Sequence, residues 1–312
     1  MTSKGPIMKS KVFITGASGY LGSAIAARLS RAGHEVLGLT RGSDDGERLT
    51  KAGVHPVLGD LTKPETFVAV LKNCDAAVHV AIAHGGSPAA LDNLALEAFA
   101  DAAEDGRLRR LLYTSGLWVH GDRKGEVTDE STPLDPLGAA AWRAPHEEVV
   151  MDLTHLEVAP VVFRPSMVYG GTRGILGEWF REVREHGTVT YPGDGSQIWS
   201  MVHVDDVADA YRLGLEHAAA GDRFLLADGS AFTVRELAES VAAATGAKAR
   251  SKPADEVIRE LGDYGVALLA SLRINAAKAR RELGWVPRHT SFVQEADALY
   301  REWLGPHEAR VS

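Results

Sequence analysis

The sequence predicts an α/β chain built on a doubly wound parallel sheet, with a smaller C-terminal α+β region that binds substrate. Three observations carry that prediction. A short apolar β-type segment (Val12 to Ile14) runs into glycines at 16, 19 and 22 and then into a helix-period pattern of Leu21, Ile25 and Leu29. Over residues 11–164 strand-like and helix-like segments alternate with short connections. After Pro165 that rhythm breaks into Gly-rich turns at Gly170, Gly171, Gly174 and Gly177.

In chain order the strand candidates are 11–15, 35–39, 54–58, 76–80, 108–114 and 159–164; several are nearly all apolar, as expected of strands covered on both faces. Helical patterns lie between them at 20–32, 45–52, 64–72, 88–104 and 141–156. Beyond residue 165 helices are expected near 175–186, 203–218, 233–246, 254–261, 275–283 and 291–304, with a strand at 223–227 that rejoins the main sheet. The expected division is a nucleotide-binding domain of 1–165 plus about 201–227, and a smaller substrate-binding domain of 166–200 and 228–312. A ligand crevice would lie between them, outside the carboxyl ends of the strands.

Bulk properties exclude several classes. The 312 residues carry a net charge of −8, which argues against non-specific nucleic-acid binding. The lone cysteine, Cys74, excludes an intramolecular disulfide and a cysteine-rich zinc site, and reads as a small buried filler. The first residues are polar without an apolar signal core, and no stretch approaches the roughly 20 apolar residues of a membrane helix, so a cytoplasmic protein is expected.

The strand–Gly turn–helix order brings backbone N–H groups and a positive helix N-terminus to one point, where a pyrophosphate can sit. Gly16 would allow the turn, Gly19 the close approach of phosphate and Gly22 the contact of helix with strand. After the second strand the chain reads Thr40-Arg41-Gly42-Ser43, with no carboxylate until Asp44. An arginine there suits a ribose 2′-phosphate, with Ser43 and Arg48 as helpers, and favours NADP over NAD; an exposed loop arginine is the plainer reading. Asp60 would either face the adenine amine or cap the helix that follows.

These residues resemble the extended and atypical short-chain dehydrogenases/reductases, the NAD(P)-dependent epimerase/dehydratase-like proteins. The likeness rests on Thr15 to Gly22; Gly59-Asp60-Leu61; Tyr113-Thr114-Ser115-Gly116; Arg164 to Gly170; and Val202 to Ala208. It implies a Rossmann sheet that holds NADP(H), with Gly16, Ser18, Gly19, Tyr20, Leu21, Gly22, Arg41, Asp60, Leu61, Val80, Ala81, Pro165, Met167 and Val168 as cofactor-binding positions. It also implies a homodimer paired through the helices at 88 and 141.

The family's chemistry uses a Tyr-x-x-x-Lys pair with a nearby Ser or Thr. Here Trp142 stands in the tyrosine slot and His146 in the lysine slot. Tryptophan cannot give up a proton at working pH. Gly116 falls where the serine belongs, which leaves Ser115 or Thr114 to bind a carbonyl oxygen. Asp92 matches the aspartate that replaces the active-site asparagine in the atypical subgroup. Candidate proton donors are His146, His84, His120, Tyr169 and Tyr191, each with a structural alternative: a carboxylate-bonded helix residue for His146, core packing for Tyr169. His-Glu-x-x-His and Gly-x-Ser-x-Gly spacings do not occur, so no metal and no hydrolase elbow are expected. The expected activity is NADP(H)-dependent oxidation or reduction of a small or medium polar carbonyl or alcohol. A sugar epimerase or dehydratase with catalytic NADP, and a silent NADP-binding sensor, are the alternatives.

Overall fold

Alternate residues of the first strand enter opposite cores. Val12 and Ile14 join one apolar cluster, Phe13 the other, and all three are fully buried. That two-sided burial organises the computed structural model, which describes residues 9–82 and 86–308. Seven strands form the central sheet: β1 (Lys11–Thr15), β2 (Glu35–Thr40), β3 (His55–Leu58), β4 (Ala76–His79), β5 (Arg110–Thr114), β6 (Ala159–Pro165) and β7 (Asp222–Leu226). Their order is β7-β6-β5-β4-β1-β2-β3, and every pairing is parallel. The order reverses at β1, between β2 and β4, so the crevice opens at the carboxyl end of β1.

Helices α1 (Tyr20–Arg31), α2 (Ser43–Lys51), α3 (Val68–Leu71), α4 (Pro88–Glu104) and α5 (Arg143–Asp152) follow the expected alternation. Two of them are shorter than the pattern suggests. The segment 64–72 splits into a 3-10 turn, Pro64–Thr66, and α3, because Phe67 leaves helical geometry to stack on Phe13 at 5.7 Å. The segment 141–156 becomes helical only at Arg143 and ends in a 3-10 turn that Glu157 closes in the left-handed region at φ 60°. The strand expected at 223–227 is β7, the sheet edge beside β6.

Beyond Pro165 come α6 (Gly174–His186), α7 (Val204–His217), α8 (Val234–Thr245) and a C-terminal helix, Phe292–Glu308. The sequence pattern missed Lys248–Lys252, a mostly exposed polar strand that pairs in parallel with Thr188–Pro192, and the short helix Asp263–Leu268. One apolar core runs without a break from Val12 and Phe163 through Trp179, Trp199 and Tyr211 to Trp285 and Trp303. The buried Asp206 carboxylate fastens the C-terminal segment to α7 by accepting from the backbone N–H groups of Arg288 (2.9 Å) and His289 (3.0 Å). Cys74 is buried, and burial pushes its thiol up to about 11. No described helix is long and apolar enough to cross a membrane.

Candidate functional site

At the carboxyl end of β1 the chain turns at Gly16, whose φ of +71° few L side chains adopt. A Cβ there would also meet the backbone of Ala81 at 2.8 Å, so this glycine lets β1 and β4 close on each other. Gly19 caps α1 in extended geometry and donates its N–H to the Gly16 carbonyl at 2.9 Å. A Cβ on Gly22 would come within 2.0 Å of that same carbonyl oxygen, which fixes how deeply α1 seats. The first turn of α1 carries no acidic residue. This cradle of backbone and helix N-terminus can hold a pyrophosphate. Tyr20, by contrast, is a strut: its hydroxyl donates to the Gly170 carbonyl at 2.8 Å, and burial, then Asp205, pushes its pKa up.

Arg41 lies exposed at the end of β2, with no hydrogen bond or ion pair among the described residues. Arg48 instead pairs with Asp45, and that bond, with a smaller one from Ser18, holds the Asp45 carboxyl below its ordinary value. Asp60 is not a helix cap. Its carboxylate accepts the backbone N–H and hydroxyl of Thr62, each at 2.9 Å, while Lys63 occupies the capping position. Those bonds, and then the charge of Arg41, hold its carboxyl down. Leu61 is buried in the second core. Val80 and Ala81 follow β4 half-buried; Pro165 ends β6, and Met167 and Val168 lie on the short strand that pairs with Met201–His203.

Beside this cradle the sheet register lines up Thr15, His79 and Tyr113 on β1, β4 and β5. Thr15 Oγ1 lies 2.7 Å from His79 Nδ1, and His79 Nε2 lies 2.7 Å from Asp92 Oδ1 of α4. Asp92 Oδ2 accepts from the Tyr113 hydroxyl at 2.7 Å and from His146 Nδ1 at 2.6 Å. Burial would raise the Asp92 carboxyl, but the bonds from His79, His146 and Tyr113 outweigh it and hold the group below its ordinary value. Trp142 sets its indole edge-to-face against the His146 ring at 5.3 Å, and the Arg143 guanidinium covers the indole at 4.3 Å while donating to the Thr114 carbonyl at 2.7 Å. Asp92 and His146 were legible in the sequence. His79 was missed, although a histidine at the end of an all-apolar strand was the signal.

The two oxyanion candidates separate. Thr114 turns away from the crevice, because its hydroxyl is shared between the His79 carbonyl (2.7 Å) and the Tyr211 hydroxyl (2.6 Å) of α7. Ser115 is 5 % exposed, and its hydroxyl has no partner among the described residues. His120 is fully buried against Arg164, and burial, then that charge, lowers its pKa to about 4, so the ring is neutral at neutral pH and its Nε2 faces Arg164. Tyr169 packs in the core between His203 and Phe292, and Tyr191 in the same core. His84 lies outside the described residues.

Ligand-capable atoms of His203, Asp205 and His289 lie within 4.8 Å of one another. One nitrogen of each ring is committed: His203 Nδ1 caps α7 by accepting from the Asp205 N–H, and His289 Nδ1 meets Glu295 at 2.6 Å, while His203 Nε2 is buried without a partner among the described residues. The two rings stack at 3.7 Å, a poor geometry for sharing an ion.

A parallel sheet with its order reversed at a glycine-lined helix N-terminus defines the class of dinucleotide-binding α/β proteins. Within that class the chain belongs to the NAD dependent epimerase/dehydratase family, whose model matches residues 12–227. It is 27 % identical over 320 residues to a 4-hydroxy-2-methyl-3-oxo-4-farnesyl-3,4-dihydroquinoline-1-oxide ketoreductase of Stigmatella aurantiaca, with 93 % of this chain and 95 % of the relative covered. It is 28 % identical over 305 residues to a UDP-glucose 4-epimerase of Mycolicibacterium smegmatis, with 89 % and 94 % covered. The fold superposes on a dTDP-glucose 4,6-dehydratase of Streptomyces venezuelae with NAD bound, at a TM-score of 0.82 and 21 % identity, over 96 % of this chain and 98 % of that one.

Proposed function

We propose that this chain is an NADP(H)-dependent oxidoreductase that interconverts a small or medium polar carbonyl compound and its alcohol. The observation that carries the reading is the Ser115 hydroxyl, buried and without a partner at the carboxyl end of β5. An orphaned buried hydroxyl costs about 1–3 kcal/mol, and a substrate oxygen would supply the missing bond. Gly16, Gly19 and the N-terminus of α1 would hold the pyrophosphate, and Val80, Ala81, Met167 and Val168 the nicotinamide half. Bound there, the cofactor supplies or accepts the hydride.

Arg41 supports the choice of NADP. Arg48 neutralises Asp45, which leaves Arg41 as the uncommitted cation for a 2′-phosphate. A homodimer through the outer faces of α4 and α5, where Val149 is 45 % exposed, belongs to the same reading. Likeness to a UDP-glucose 4-epimerase favours the second reading, an epimerase of a sugar-like substrate.

Titration of the purified protein with NADPH and NADH, followed by nicotinamide fluorescence, tests the proposal. A tenfold preference for NADPH, about 1.4 kcal/mol, is expected, and release of oxidised cofactor with a carbonyl substrate would mark the reductase. Isomerisation of a sugar nucleotide without net cofactor turnover would mark the epimerase. Binding of neither cofactor would overturn both.

A further inference from the structure

We propose that Asp92 and His146 replace the absent tyrosine–lysine pair: His146 Nε2 exchanges the proton with the substrate oxygen, and Asp92, His79 and Tyr113 are positioning residues that hold the imidazole for it. This rests on the oxidoreductase reading above and names the acid/base of that same site.

The argument begins with the carboxylate. Asp92 is 3 % exposed and accepts three hydrogen bonds, from His79, His146 and Tyr113. An ionised carboxylate offers only acceptors, so each facing ring nitrogen carries a hydrogen. For His146 this fixes the proton of the neutral ring on Nδ1 and leaves the Nε2 lone pair uncommitted. His79 cannot play that part, because Thr15 takes its other nitrogen and the residue is 2 % exposed. His120 cannot either, since it bonds Arg164. His146 keeps 9 % of its side chain accessible, on the helix where the resemblance puts the acid/base.

The remaining groups around the ring fit the role. Trp142, which precedes its helix, packs edge-on and restrains rotation, and Arg143 is tied to the Thr114 carbonyl. The neighbouring Glu147 is neutralised by the buried Arg164 of β6. Asp92 is thus the anion that bonds the ring, and His79 and Tyr113 take two of its other acceptor sites. Those bonds favour the ionised carboxylate, so the proton stays on His146. In the reductive direction the N–H bond at Nε2 of the protonated ring breaks, an O–H bond forms on the substrate oxygen, and solvent water reloads the ring. The reduced cofactor, when bound, is the hydride source that balances the step. Oxidation of an alcohol runs the same proton backwards.

Side-chain ¹⁵N NMR of the full chain tests this without turnover. In the wild type above the histidine titration, His146 is expected to show a protonated Nδ1 and a lone-pair Nε2. Added NADPH should shift the Nε2 signal and leave that of His79 in place. In Asp92→Asn, whose amide donates as well as accepts, the His146 tautomers should mix. A carbonyl compound turned over by the wild type should lose at least about 10²-fold in kcat in that variant, with little change in KM. The proposal is overturned if wild-type His146 carries its proton on Nε2, or if NADPH binds by fluorescence and leaves the His146 signals unmoved. It is also overturned if His146→Gln retains wild-type kcat, a result that stands should Asp92→Asn fail to fold. Absence of NADPH binding by fluorescence would instead strike the functional reading.

Discussion

Arg164 of β6 meets Glu147 of α5 in a two-pronged ion pair, Nε to Oε1 at 3.0 Å and Nη2 to Oε2 at 2.5 Å, with side chains 2 % and 0 % exposed. The pair pins the helix that carries His146 to the strand that leads into Pro165. Removing one partner would strand the other charge in a dry site, which costs about 3–5 kcal/mol. Glu147→Ala is therefore expected to lower the unfolding free energy by that amount in urea melts, and Glu147→Gln by less. A loss under 1 kcal/mol for the alanine variant would show that water reaches Arg164.

Three buried groups with large shifts bear on the pH dependence of stability. Burial, then Arg164, takes His120 down to about 4, and burial, then His289, does the same for His203. Both are neutral in the folded chain below pH 6.5 while the unfolded chain protonates them, so each contributes stability that is lost as pH falls from 6.5 to 4, about 3 kcal/mol apiece. Burial raises Asp228 to about 6, which works the other way: its stabilisation is present below its unfolded value and lost as pH rises through 6. Two groups against one leave a net slope near one proton from these three, about 1.4 kcal/mol per pH unit between pH 4.5 and 6. Glu130, which burial also raises, works on the side of Asp228. Stability should fall on acidification across that window. His120→Gln should flatten the fall and Asp228→Asn should steepen it, both read from urea melts. An unchanged slope in both variants would refute the assignment.

The proposed preference for NADP rests on Arg41, exposed at the end of β2 and close enough to Asp60 to lower its carboxyl. Arg41→Ala should weaken NADPH binding by roughly 1.5–3 kcal/mol, the range for hydrogen bonds to charged groups, and leave NADH nearly unchanged. Equal losses for both cofactors would show that Arg41 does not read the phosphate. Because Arg48 is already paired with Asp45, Arg48→Ala should have the smaller effect.

What the sequence makes legible follows its local periods. The turn at Gly16, the seating of α1 by Gly22 and the return of β7 to the sheet all follow from short-range pattern. The chemistry is harder to read because its contacts are long-range. Thr15 and His79 stand 64 positions apart and meet through the parallel register, and Asp92 and His146 stand 54 apart and meet where α4 packs beside α5. Thr114 and Ser115 could not be separated without knowing that Tyr113 faces α4 and Thr114 faces α7. Lys248–Lys252 escaped because an exposed polar strand carries no apolar alternation.

The same geometry separates stability from catalysis at Ser115. Its backbone N–H donates to the Phe163 carbonyl at 2.8 Å, which holds the chain in place whatever the side chain is. The hydroxyl, which bonds nothing among the described residues, is a cost to the fold and, on the proposed function, a donor for the substrate oxygen. Ser115→Ala should therefore leave the melting temperature unchanged or slightly raised. It should lower kcat for carbonyl reduction by about 10²–10³-fold, as loss of one oxyanion donor does. Thr114→Val is the control with the opposite signature, since it breaks the bonds to the His79 carbonyl and Tyr211 and should destabilise the fold by about 1–3 kcal/mol. A Ser115→Ala variant with full kcat would remove the serine from the reaction and leave Thr114 as a purely structural residue.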